Sequence, residues 1–323
     1  MPAKTQARDS VDTDTDPTLL PRTSALRRAA AFLVSRHWML RLGAVLLVCI
    51  MVLLVLAPWI APYDPAAQSL IRRLRPSSPD HLLGTDQLGR DVLSRLIWGG
   101  RFSVLIATAT LLLSAALGTV AGIVCARTGG MLDEVTMRIV DLLLSFPEVI
   151  VAVFLVAFVG PGYGTLITAL TITGWTPFAR LARSLTLEIN SRDYIRAAEI
   201  LGCGRGFIIF RHIIPNTARP LLAITFLRFG HKLITVGGLS FLGLGIQPPH
   251  PDWAVMLAEA QPYAERAPLL VVAPGVAIIL TALSVTWIGQ GIELSAGPRS
   301  RAWARLRRLV SVRVGRGPRS AAT

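Results

Sequence analysis

Residues 194–220 read YIRAAEILGCGRGFIIFRHIIPNTARP, a polar, arginine-bearing island between two hydrophobic segments. Tyr194 to Leu201 carries helix-forming residues, with the small side chains Ala197 and Ala198 side by side, and Gly202 closes the run. A second helical run, Gly206 to Ile214, is expected to stop at Pro215-Asn216, because proline lacks an N–H and clashes with the preceding turn. Gly202 and Gly204 can take positive φ at low cost. The pattern predicts a short helix–turn–helix on a membrane surface, and the alanine pair would let another protein approach closely.

The membrane follows from what flanks the island. Apolar residues make up 52% of the 323-residue chain, and charged residues, only 16%, gather between apolar runs. A spanning helix needs about 20 mostly apolar residues. Six spans are read: Met39–Ala61, ending at the interfacial Pro58-Trp59; Ser103–Ala126; Arg138–Val159, broken by Pro147; Thr165–Arg183, with the breakers Gly174 and Pro177; Leu221–Leu242; and Leu269–Glu293. The expected fold is an all-α polytopic membrane protein with a transmembrane domain over 39–298. Residues 1–38 form a cytoplasmic N-terminal tail, 63–102 an external loop, 184–219 a cytoplasmic loop between spans 4 and 5, and 299–323 a basic cytoplasmic tail. No cleavable signal peptide is visible, and the first apolar run reads as a retained anchor. Both termini fall on one side. The inner segments then carry 20 Lys and Arg and the outer segments 7, which supports an N-in/C-in orientation despite the basic 63–102 loop. The net charge of +14 is thus read as positive-inside bias toward membrane lipid, with no nucleic-acid partner.

Ionisable residues reach middle depths of two spans: Glu148 in the third, and Arg228, His231 and Lys232 in the fifth. Such groups cost about 2.5–3.5 kcal/mol each on insertion scales and face a bundle interior or cavity. Arg228 and Lys232 are i,i+4 and share a face. Two roles stay open: lining a translocation path, with Glu148 balancing one cation and the remaining charge meeting a substrate carboxylate, or a structural Glu148–Arg228 or Glu148–Lys232 pair. His231 by itself is more commonly a packed, hydrogen-bonded histidine than a switch.

Catalysis has nothing to stand on. The chain holds no GxxxxGK[ST] phosphate loop, HExxH, paired-cysteine motif or GxSxG elbow. Cys49, Cys125 and Cys203 form no disulfide framework or metal site, and no cofactor is expected.

Three stretches carry a resemblance. HLLGTDQLGRDVLSRLIWGGRFS, residues 81–103, matches LGTDxxGRDxxSRxxxGxR at Gly84, Thr85, Asp86, Gly89, Arg90, Asp91, Ser94, Arg95, Gly99 and Arg101. SFLGLGIQPPHPDWAVML, residues 240–257, is close to SFLGLGxQPPxPxWGxML. The island fits the cytoplasmic "EAA" loop at Ala197, Ala198, Gly202, Ile213, Ile214 and Pro215, with Arg196 where Glu is frequent. Over about residues 30–299 the chain resembles permease subunits of ABC importers, in their dipeptide/oligopeptide/nickel branch. Near the end, WIGQGIELSAGPR keeps the family's Gly289, Gly291, Pro298 and Arg299, while Gln290, Glu293 and Leu294 depart from it.

The resemblance implies a permease of the bacterial inner membrane that supplies half of a path for di- or oligopeptides. Its partners would be a second permease subunit, two ATP-binding cassette subunits that hydrolyse ATP, and an external solute-binding protein. Arg196, Ala197, Ala198, Glu199, Gly202 and Pro215 would then mark the coupling helix that docks on an ATPase subunit. Cargo stays open between peptides, nickel–chelates and other small solutes. An ion-gradient-driven carrier, with Glu148 and the 228–232 cluster as coupling groups, is the rival from another class; the lack of an internal repeat of spans counts against it.

From residues alone, Asp91–Trp98 reads as an amphipathic surface helix, and Asp86/Arg90 and Asp91/Arg95 as i,i+4 pairs on its solvated face. That reading explains the charges but not the glycines.

Overall fold

The computed structural model describes residues 38–245 and 249–295. The expected tails, Pro298, Arg299 and the Ile246–Pro248 part of the 240–257 motif lie outside the described residues. Among the described residues the chain is helical, with a single isolated bridge, Thr85 to Asp91.

The elements are α1 (Trp38–Val55), α2 (Ala57–Ile60), α3 (Val92–Thr128), α4 (Gly130–Ser145), α5 (Glu148–Val159), α6 (Tyr163–Gly174), α7 (Thr176–Asn190), α8 (Asp193–Ile200), α9 (Arg205–Ile208), α10 (Ile214–Phe241), α11 (Trp253–Ala260) and α12 (Leu269–Ser295). Four helical stretches are long and apolar enough to cross a membrane: Trp38–Val55, Val92–Thr128, Arg205–Phe241 and Leu269–Glu293. A bent pair, α4 with α5, makes a fifth if taken as one span.

Several expectations are corrected. Residues 92–98 are not a separate surface helix; they are the first turns of the 37-residue α3, which runs on through the second span. The third span is not one helix from 138 to 159. Pro147 caps α5, and α4 and α5 meet at 92°. The fourth expected span is two helices of 12 and 15 residues, divided at Trp175 before Pro177. Pro215 does not end a helix. Residues Ile209–Ile213 form a π-helical turn that leads straight into α10, so Arg205–Phe241 is continuous. The wider π turn absorbs the clash and the missing N–H of proline without a break.

The helices meet through small residues. A Cβ on Gly118 of α3 would stand 2.2 Å from Trp175 O, and one on Gly122 2.3 Å from Ala179 O. Only glycine allows α3 and α7 to lie that close, the usual device of packed membrane helices. Gly289 of α12 is pressed on Leu227 of α10, and Gly291 on Leu40 of α1. Three apolar clusters fill the interior. One gathers Phe178, Phe229, Trp253 and Val285; a second joins Ile106 of α3 to α5, α6 and α10; the third lies beneath the 194–215 island.

Candidate functional site

The island is held by its apolar underside. Ile195, Ile208 and Ile213 are buried in one cluster with Ile123, Ala182 and Ile189. Helix α8 ends in a Schellman turn: Gly202 has φ +78°, its N–H donates to Glu199 O (3.0 Å), and Cys203 N donates to Ala198 O (3.0 Å). This satisfies carbonyls that the helix end would leave bare. Gly204 differs from expectation; its φ is −65°, so glycine is needed at 202 and not there. Glu199 accepts from Arg127 Nη1 at the end of α3 (3.1 Å), and Arg127 also donates to Asn190 Oδ1 (3.1 Å). Arg196, Ala197, Glu199, Gly202 and Pro215 are exposed, and Ala198 is half-buried. The outward face is unexpectedly apolar: Ile200 is 86% exposed, Leu201 82% and Phe210 75%. These three were not singled out in the sequence, although a helix whose apolar residues outnumber those its underside can bury was the available signal.

The intramembrane charges separate into a pair and a remainder. Lys232 of α10 is buried and donates to the Glu148 carboxylate at the start of α5; it also reaches Leu170 O (3.4 Å). Thr173 Oγ1 lies 3.5 Å from Glu148 Oε1. The pair sits against Gly174, where α6 ends: a Cβ there would stand 2.6 Å from Lys232 Nζ and 2.7 Å from Ser114 Oγ. Of the two pairings left open by the sequence, the structure contains Glu148–Lys232. Arg228 is partly buried, and His231 is exposed.

A second charged cluster lies at the head of α3. Asp86 accepts from Arg90 Nε (2.6 Å), from the backbone N–H of Arg90 (2.9 Å) and Leu88 (2.8 Å), and from Arg95. Glu259 of α11 accepts from Arg90 Nη2 (2.7 Å) and Arg95 Nη1 (2.9 Å). Asp91 caps α3, taking Ser94 N and Ser94 Oγ at 2.8 Å each, and His81 Nδ1 lies 2.9 Å from its other oxygen. Asp86, Arg90, Asp91 and Arg95 are all buried. The i,i+4 reading is therefore corrected: Asp91 does not pair with Arg95, and Asp86/Arg90 form no solvated helix face. The glycines now have a reason. Gly84 and Gly89 have φ of +78° and +72°, and a Cβ on Gly89 would stand 1.9 Å from Ser69 O. The motif folds a turn so tight that its buried charges are satisfied by one another, by backbone N–H groups and by Ser94, His81 and Glu259 rather than by solvent.

Asp252 fixes the adjoining 240–257 segment. Its carboxylate accepts from Ala254 N (2.7 Å), Val255 N (3.3 Å) and Ser103 Oγ (3.2 Å) and caps α11. Burial pushes this carboxyl above its usual range, and the hydrogen bonds pull part of the way back. Trp253 Nε1 donates to Leu96 O (2.7 Å), locking α11 onto α3.

A polytopic helical bundle with broken helices, an ion pair at the breaks and a clamped polar island is the build of a membrane transport subunit. Residues 118–295 match the family described as "Binding-protein-dependent transport system inner membrane component", and residues 33–77 match the "N-terminal TM domain of oligopeptide transport permease C". Similar relatives include the di/tripeptide transport system permease protein DppC of Pseudomonas aeruginosa, 37% identical over 80% of this chain and 88% of the relative. The dipeptide permease DppC of Escherichia coli is 38% identical over 80% and 88%. The nickel transport system permease protein NikC of Escherichia coli is 34% identical over 81% and 95%. The chain belongs to the binding-protein-dependent transport permeases of the inner membrane, in the dipeptide/oligopeptide/nickel branch of the ABC importers.

Proposed function

We propose that this chain is one of two permease subunits of an ATP-driven importer, and that it carries di- or oligopeptides delivered by an external solute-binding protein. It crosses the membrane six times, N-in and C-in. The spans run within α1, α3, the bent α4–α5, the divided α6–α7, Arg205–Phe241 and α12, with external loop 63–102, cytoplasmic loop 184–219 and cytoplasmic tails 1–38 and 299–323. The three relatives named above act on dipeptides, di/tripeptides or nickel by their names, and the peptide reading follows the more numerous kind. Nickel–chelate import is the second reading, supported by the identity to the nickel permease. A gradient-driven carrier is set aside, because the family works with a binding protein.

One observation carries the coupling role. The 194–215 island presents Ile200, Leu201 and Phe210 outward while its underside is bolted to α3 and α7. Its second half is continuous with α10, which carries Arg228, His231 and Lys232. Two ATPase subunits supply the energy. An ATPase groove would close over the exposed apolar face around Arg196, Ala197, Ala198, Glu199, Gly202 and Pro215. A push on residues 205–213 would then travel along one helix to the Lys232–Glu148 pair, about 30 Å away at ~1.5 Å per residue. Rigid-body rocking of that kind is the general scheme of alternating access. Glu148, Arg228, His231 and Lys232 line or border the path.

The test reconstitutes the chain with its partner permease and ATPases and compares wild type with the double variant Ala198→Asp/Gly202→Asp. Lost assembly or lost coupled hydrolysis, with the spans still inserted, is the expected result. Unchanged binding and hydrolysis would reduce the island to a linker.

A further inference from the structure

The cations beside the broken helices have partners within the chain, with one exception. Arg180 pairs with Asp141, Arg183 Nε and Nη2 hold Asp133 at 2.6 Å each, and Lys232 holds Glu148. Arg228 makes no hydrogen bond or ion pair among the described residues. It stands near the midpoint of α10, ~20 Å from either end at 1.5 Å per residue. At that depth a charge is retained where it faces a cavity or an anion.

Lys232 follows Arg228 at i,i+4 on the same helix face, and Lys232 holds Glu148. The trio is thus left with one positive charge. Arg228 shares its face with the exposed His231 at i+3, while the buried Thr235 at i+7 spends its hydroxyl on His231 O (2.9 Å). Lipid gives no reason for Arg228 and His231 on one face; a polar path does.

We infer that Arg228 is the contact for a carboxylate on the transported solute, an anion that the described residues do not provide. The inference rests on the importer reading and deepens it to a cargo class: solutes with a free carboxylate. A planar guanidinium suits a carboxylate because two N–H groups can meet two oxygens at once.

The experiment uses the complete transporter in proteoliposomes, with dialanine and dialanine amide as probes. Each uptake rate is normalised to the separately measured occupancy of the solute-binding protein. The expected result is that Arg228→Met cuts the wild-type preference for dialanine over its amide by roughly ten-fold or more, the scale of a lost charge-assisted hydrogen bond. Arg228→Lys should retain part of that preference. An unchanged preference, or an equal fall for both probes, overturns the assignment and makes Arg228 a structural cation or a contact for the second permease. A preference that disappears in wild type on exchanging anionic for zwitterionic lipid makes it a property of net-anionic headgroups and overturns the assignment too. Absence of ATP-driven uptake of both probes in wild type overturns the importer reading itself, and the assignment with it.

Discussion

Lys232 of α10 holds the carboxylate of Glu148, the residue at which α4 and α5 turn through 92°. The same ammonium lies against Gly174, where α6 gives way to α7. One ion pair, with Lys232 buried and Glu148 partly so, thus ties two helix breaks to the helix that continues from the 194–215 island. Lys232 Nζ also reaches Leu170 O near the end of α6, at 3.4 Å.

Removing Lys232 leaves the partly buried Glu148 carboxylate without its partner. Lys232→Met should lower the stability of the folded chain by about 3–5 kcal/mol, and Glu148→Gln in the same background should recover much of the loss. A double-mutant cycle on thermal unfolding in detergent reads this directly. Additive losses would mean that the two side chains do not act as a pair.

The cage at the head of α3 should respond more steeply than a surface salt bridge. Arg95→Met removes one of the two cations shared by Asp86 and Glu259 and should cost about 3–5 kcal/mol. Protease sensitivity of loop 63–102 should rise with it. An effect of under ~1 kcal/mol, the scale of an exposed pair, would contradict the burial seen here.

Two glycines in the left-handed region should differ. Gly202→Ala meets no atom within 4 Å, so the cost is conformational, about 1–2 kcal/mol. Gly89→Ala adds a collision with Ser69 O at 1.9 Å and should be far more disruptive. Melting temperatures of the two variants, measured side by side, test the order.

Asp252 predicts a pH dependence. Its folded pKa is raised by burial, so protonation favours the folded state. That contribution is complete below the unfolded value, about 3.8, and is lost as pH rises through the folded one. Asp252→Asn cannot titrate. The stability of the variant relative to wild type should therefore increase from acid to neutral pH, as followed by thermal melts across that range.

The sequence by itself determined the membrane class, the helical content, the island and the family, because apolar length and glycine/proline spacing are local and additive along the chain. It also marked Glu148 and Lys232, since charge inside an apolar run is visible without a fold. Only the tertiary structure decided that Pro215 continues a helix, that the third span bends at Glu148, and that Lys232 rather than Arg228 takes the carboxylate. It alone turned Asp86, Arg90 and Arg95 from an apparent solvated face into a buried cage closed by Glu259, well over a hundred residues away. Spacing along a chain can say which charges share a helix face; which opposite charge arrives from another helix depends on how the helices pack.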